Sequence, residues 1–181
     1  MGQYFTPVFL NSTGTIMYAL NPNDYGSDDK HFGHSRADTR LLYAVQSLLS
    51  LDGSLRLVWA GEYAEPEPGG DANLYYLTEQ WHFMRIAGLL HPDCREPVTM
   101  ACPDPERRNV FGYTLNHDKH AFVDHMFLPV DHTGWRRCPL PRLTAEAGAD
   151  AQRRGQGSWA RDRLSYTHQR PAADWTDSTD A

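Results

Sequence analysis

The sequence predicts an α+β fold whose mainly antiparallel sheet is built from two related halves, with two helices. Two β-type runs meet at a Leu-Asn turn in "VFLNSTGTIMYA", and the pattern returns a hundred residues later in "YTLNHDKHAFVD". Each hairpin is followed by a tryptophan phrase, "LRLVWAGEYAE" in the first half and "GSWARDRLSY" in the second. Two apolar stripes at helical spacing accompany the first of these units, and strand hairpins mixed with helices in this way define the α+β class. The expected organisation is a single domain over 1–167, with halves at about 1–91 and 110–167 and an irregular, proline-rich connector at 92–109. Residues 168–181, with Pro171 and scattered Asp, read as a disordered tail.

In chain order, residues 4–20 form the first hairpin, because Asn11 and Gly14 supply the left-handed conformations that a tight turn demands. "NPNDYGSDDKHFGH" is polar and glycine-bearing and reads as a loop. In "SRADTRLLYAVQSLLSL", Ser35 and Asp38 are placed as a capping pair, and Leu41, Leu42, Val45, Leu48 and Leu49 recur at helical spacing. Residues 55–63 alternate as a strand, with Leu55, Leu57 and Trp59 on one face. After the loop "EPEPGGD", Asp71 is placed as the N-cap of a second helix over 72–90, carrying Leu74, Leu77, Trp81, Met84 and Gly88 on one stripe. The second hairpin then turns at Asn116-His117-Asp118-Lys119. The second tryptophan phrase reads as another strand, used once per half and packed on its own hairpin or on its counterpart.

Composition excludes several classes. A chain of 181 residues with 12% aromatic and 40% hydrophobic content is long enough to bury a core. No window reaches the roughly 18 apolar residues of a membrane span, and no leader-like segment opens the sequence, so a cytoplasmic location is expected. Cys94, Cys102 and Cys138 are odd in number and match no zinc spacing, which favours reduced thiols. A net charge of −6 and a pI near 5.8 argue against duplex nucleic acid as a partner. The charge is uneven, however. Residues 132–170 hold eight arginines against Glu146, Asp150 and Asp162, and a guanidinium fork suits phosphate.

Candidate chemistry gathers in three places. His117, His120 and Asp124 could serve a metal-dependent hydrolase or nuclease, although strand alternation would put His120 and Asp124 on one face and His117 and His125 on the other. No HExxH, nucleophile elbow, P-loop, GxGxxG or deaminase signature is present, so no cofactor is expected. The segment "AEAGADAQRRGQGSWARDR" combines glycines, four arginines and Trp159, a residue able to stack a base. If the halves face one another, Trp59, Glu62 and Tyr63 from one phrase and Trp159, Arg161, Asp162 and Arg163 from the other would line a cleft, with Asn116 and His117 from the second turn. Against this, indoles in short Trp-Ala phrases commonly pack a core. His34 is either a helix-entry hydrogen bonder or a cleft residue.

The pieces "MGQYF", "FGHS", "LVWAGEYAE" with "NLYYL", "YTLNHDKH", "GWRRCPLPRLTAE" and "GSWARDR" as a set resemble a family of small bacterial and phage proteins that begin MGQYY and carry VWAGDYAD and GSWAGD. The resemblance runs to about residue 166 and brings no activity with it. The glycine-rich loop expected after "LTAE" is here "AGADAQRRGQ", and the second WAGD is Trp-Ala-Arg-Asp. The expected function is capture of a small phosphate-bearing, nucleotide-derived ligand in a phage or prophage counter-defence setting. The metal-dependent hydrolase is one alternative, and a protein–protein inhibitor module is another. Homo-oligomerisation stays open.

Overall fold

Asn11 organises the first hairpin. Its side-chain oxygen accepts hydrogen bonds from the Thr13 N–H (3.0 Å), the Thr15 N–H (2.9 Å) and the Thr13 hydroxyl (2.7 Å), while Gly14 takes φ +83°. In the computed structural model, which describes residues 3–27, 30–51, 53, 55–78, 112–148 and 156–181, this turn joins β1 (Phe5–Leu10) to β2 (Ile16–Ala19). The second hairpin repeats the device. Asn116 accepts from the N–H groups of Asp118 and Lys119, both at 3.0 Å, between β4 (Tyr113–Asn116) and β5 (Ala121–Asp124). Both hairpins lie where the sequence predicts them.

Each hairpin gains a third strand on its first. β3 (Arg56–Gly61) pairs antiparallel with β1, from Phe5 opposite Gly61 to Leu10 opposite Arg56. β7 (Leu164–Thr167) pairs antiparallel with β4, from Tyr113 opposite Thr167 to Asn116 opposite Leu164. A short parallel strand completes each sheet: β6 (Ala145–Glu146) beside β3, and β8 (Thr176–Asp177) beside β5. The sheets read β2-β1-β3-β6 and β7-β4-β5-β8. The three-strand unit is therefore the same in both halves, and the fourth strand is added at opposite edges.

One apolar core serves both units. In α2 (Arg40–Leu51) the predicted stripe of Leu41, Leu42, Val45, Leu48 and Leu49 is buried, in a cluster with Phe5 and Phe9 of β1, Leu57 and Trp59 of β3, Val123 of β5, and Leu164 and Tyr166 of β7. The cap of α2 differs from expectation. The Thr39 hydroxyl accepts from the Leu42 N–H at 3.3 Å, whereas Ser35 turns its hydroxyl to the Phe32 carbonyl. The predicted loop before it contains a 3₁₀ turn at Pro22–Tyr25 and one helical turn, α1 (His31–His34). The start of the second predicted helix is α3 (Leu74–Leu77), capped by Asn73 rather than Asp71. Asn73 wins because its amide also donates to the Glu62 and Ala64 carbonyls, which ties the helix to the turn after β3. The remainder of that helix, and the connector at 92–109, lie outside the described residues.

The tryptophan phrases correct one expectation. Trp59 lies in β3, but Trp159 sits in turns at 156–161 before β7, where Gly157 and Arg161 take φ +79° and +63°. Gly157 is required there, since a Cβ would come within 2.3 Å of the Ala145 carbonyl oxygen. The two phrases share a support. At the end of α4 (Leu140–Leu143), the Trp59 N–H donates to the Thr144 carbonyl (2.8 Å) and the Trp159 N–H to the neighbouring Leu143 carbonyl (2.6 Å). A second correction concerns the C-terminus. Residues 168–181 are not a disordered tail: β8 pairs with β5, and Thr179 accepts from the Asp124 N–H at 2.8 Å.

Candidate functional site

The two sheets meet along a seam where Leu55 and Leu57 accept backbone hydrogen bonds from Leu164 (2.9 Å) and Arg161 (3.1 Å). At this seam Arg56 and Arg163 stand directly opposite one another as an antiparallel bridge, which puts both side chains on one side. Among the described residues, one carboxylate lies between them. Asp118 accepts from the Arg163 N–H (2.8 Å) and from Arg56 Nη1 (3.1 Å), and its other oxygen is 4.0 Å from Arg163 Nε. The Arg163 backbone bond, helped by the charges of both arginines, lowers the Asp118 carboxyl below its usual range against the opposing effect of burial.

Asn116 holds this turn in place. While its oxygen caps Asp118 and Lys119, its amide donates to Asp162 Oδ2 (2.8 Å), and that carboxylate also pairs with Lys119 Nζ at 2.8 Å. His117 comes next. Its N–H donates to the Arg163 carbonyl (3.0 Å), and its Nε2 lies 2.7 Å from Ser165 Oγ. Burial first, and the Arg163 charge second, lower the His117 pKa against the pull of Asp118, so the imidazole is neutral at pH 7. Strand alternation turns Leu164 and Tyr166 into the core and Arg163 and Ser165 the other way. Trp175 meets His117 edge-on at 5.8 Å and stacks on His120 at 4.3 Å.

The fold thus brings Asn116, His117, Asp162 and Arg163 together and takes the other predicted residues elsewhere. Trp59 is 0% exposed and donates its indole N–H to His34 Nδ1 at 2.9 Å, while Trp159 is 3% exposed. Neither ring can stack a base, because their area went into the core. His34 is therefore a buried acceptor and not a cleft residue. Arg161 is also spent. Its guanidinium binds Glu146 through Nε (2.5 Å) and Nη2 (2.9 Å), and Glu67 through Nη1 (3.0 Å) and a further Nη2 contact, and these bonds raise its pKa. Two carboxylates on one cation leave no attraction for phosphate. Glu62 accepts from the Tyr4 N–H at 3.3 Å, and the exposed Tyr63 has its phenol pKa raised by its hydrogen bond to Glu62. This corner is acidic, and Trp159, being buried, presents no ring to it.

The metal alternative loses its geometry. His120 Nε2 pairs with Asp174 at 2.9 Å, His117 faces Ser165, and Asp124 is buried, with Oδ1 accepting from the Met126 N–H at 2.9 Å. Among the described residues, no three His, Cys, Asp or Glu side chains converge on a point a metal could occupy. His117 and His120 belong to the turn, so the strand alternation assumed for them does not apply.

Arg56, Ser165 and Trp175 are the residues that sequence reasoning missed. Arg56 had a signal, since it is the one charged side chain in an otherwise apolar strand; Ser165 had only its alternation with Leu164 and Tyr166. The arginine excess of 132–170 also hides a second arrangement. The Arg36 guanidinium lies 3.4 Å from the Trp135 ring centre and Arg137 lies 3.9 Å from that of Phe32, with Trp135 41% and Phe32 66% exposed. Arg137 also binds Asp131 at 2.5 Å and Arg136 donates to the His125 and Met126 carbonyls, so both arginines are structural. No helix among the described residues is long and apolar enough to cross a membrane. No family model, curated protein or solved structure matches this chain.

Proposed function

We propose that this chain captures a small phosphate-bearing anion at the seam, at Arg56 and Arg163. The observation that carries the reading is the opposition of these two guanidinium groups with one carboxylate between them. Like charges placed directly across a strand pair repel, and among the described residues Asp118 neutralises only one of the two. A phosphate carries the missing charge and offers oxygens that a guanidinium fork binds in pairs. Lys119 and Asp162 balance each other beside it, and a neutral His117 adds no charge of its own. Trp175, partly buried against His117 and His120, is an aromatic ring beside the same turn, which extends the reading to a nucleotide-derived ligand. The resemblance to phage proteins supports a counter-defence setting, in which such a ligand is held and withheld.

Thermal unfolding in inorganic phosphate and in nucleoside monophosphates tests this. A ligand at about 100 times its dissociation constant adds about 2.7 kcal/mol of stability and raises Tm by several degrees. Arg163→Ala and Arg56→Ala are expected to abolish the rise for both ligands. Trp175→Ala is expected to reduce the nucleotide gain and spare the phosphate gain. An unchanged Tm at millimolar phosphate and nucleotide refutes the assignment.

A further inference from the structure

The seam holds more than charge. Ser165 and His117 form a hydroxyl–imidazole pair at 2.7 Å, on the same side of the strand pair as Arg163, two residues before Ser165. We infer that Ser165 is a nucleophile activated by His117 and that the seam acts on a phosphodiester anion, which deepens the anion-binding reading and rests on it. Four observations meet here. A serine hydroxyl is a weak nucleophile until a neighbouring base accepts its proton. His117 is such a base: with its proton on Nδ1, Nε2 is free to accept from Ser165 Oγ, and its lowered pKa keeps it unprotonated at neutral pH. Arg163 shares the face of Ser165 two residues away and Arg56 stands opposite it, so both cations are at hand for the charge that grows on the non-bridging oxygens of a phosphoryl transition state. Asp118 binds Arg56 through its guanidinium and Arg163 through its backbone N–H. Gly53 packs beside the serine, where a Cβ would stand in van der Waals contact with the Ser165 Cβ at 3.8 Å, so glycine leaves the most room there.

The steps balance without a further reactant except water. As the Ser165 Oγ–P bond forms, the hydroxyl proton passes to His117 Nε2, the P–O bond to the leaving alcohol breaks, and that alkoxide takes the proton from the imidazolium. Water then attacks the phosphoserine ester and gives one proton to His117. The Oγ–P bond breaks, and His117 returns that proton to Ser165. The product is a phosphate monoester.

Bis(4-nitrophenyl) phosphate with the full chain tests this, because each turnover releases coloured 4-nitrophenolate and the serine ester is visible by intact mass. Wild type is expected to release phenolate and to carry one nitrophenylphosphoryl group on a peptide containing Ser165. Ser165→Ala should abolish both, and His117→Gln should slow release on the order of 10² to 10⁴-fold. Ser165→Ala should keep the phosphate-induced rise in Tm, which shows it folded with its cations in place. Release that survives Ser165→Ala overturns the inference. So does the absence of release from wild type: if phosphate still raises Tm through Arg56 and Arg163, the nucleophile fails and the binding reading stands. If phosphate has no effect either, both fail.

Discussion

Beneath the second sheet, His125 is buried between polar neighbours: its Nδ1 faces Gln46 Nε2 at 3.2 Å and its Nε2 faces Thr114 Oγ1 at 2.8 Å. Burial, and secondarily the Arg136 charge, lower its pKa to about 4. The unfolded chain, with a histidine pKa near 6.5, therefore binds the extra proton first as pH falls. The stabilisation is complete above about pH 6.5 and is lost progressively down to about pH 4, in total roughly 3 kcal/mol. Urea unfolding of His125→Asn is expected to show a flatter dependence between those limits than wild type; an equal slope refutes it. His125 also illustrates what single residues reveal in a sequence. Asn116, His117, Asp162 and Arg163 are named from the sequence for a cleft between facing halves, and the fold brings them together at the second turn because they lie close to it in the strand pairing. The burial of Trp59 and Trp159 depends on carbonyls at Leu143 and Thr144, and Arg56 finds Arg163 only across the seam. Neither relation has a local signature.

At the scale of elements, hairpins and the α2 stripe were legible because a period of two or 3.6 and an Asn-bearing turn repeat within a few residues. Caps were less so. Ser35, Asp38 and Thr39, like Asp71 and Asn73, are chemically similar candidates, and the choice falls to whichever reaches a second partner. The last strand was missed for a related reason: β8 is two residues long and its residues are exposed, so no apolar pattern announces it. It is held instead by the Thr176 N–H on the His120 carbonyl (3.0 Å), the Ser178 N–H on the Phe122 carbonyl (2.8 Å), and the Trp175 stack on His120. An aromatic stack of this kind contributes about 0.5 to 1.5 kcal/mol. Trp175→Ala should therefore speed hydrogen exchange at the Thr176 and Ser178 amides by about 2 to 10-fold while leaving β4 protection unchanged. Equal rates would show that the ring does not secure the strand.

For the molecule as a whole, a core shared by α2 and strands of both sheets makes independent unfolding of the halves unfavourable. Far-UV circular dichroism and tryptophan fluorescence should report one superimposable transition, and Leu164→Ala or Leu57→Ala, one from each half, should lower its midpoint by about 2 to 5 kcal/mol of stability each. Separate transitions, one responding to each substitution, would break the shared-core account. The fold class was legible from the repeated hairpins, whereas the opposite placement of β6 and β8 was not, since two-residue parallel strands leave too little sequence to read. That placement also orders events in time. β6, which completes the first sheet, is synthesised after the second hairpin, and β8, which completes the second, comes after every other strand described. As the chain grows from its N-terminus, the first sheet cannot close before the second hairpin has been made, and the second sheet cannot close before the whole of the first has been made.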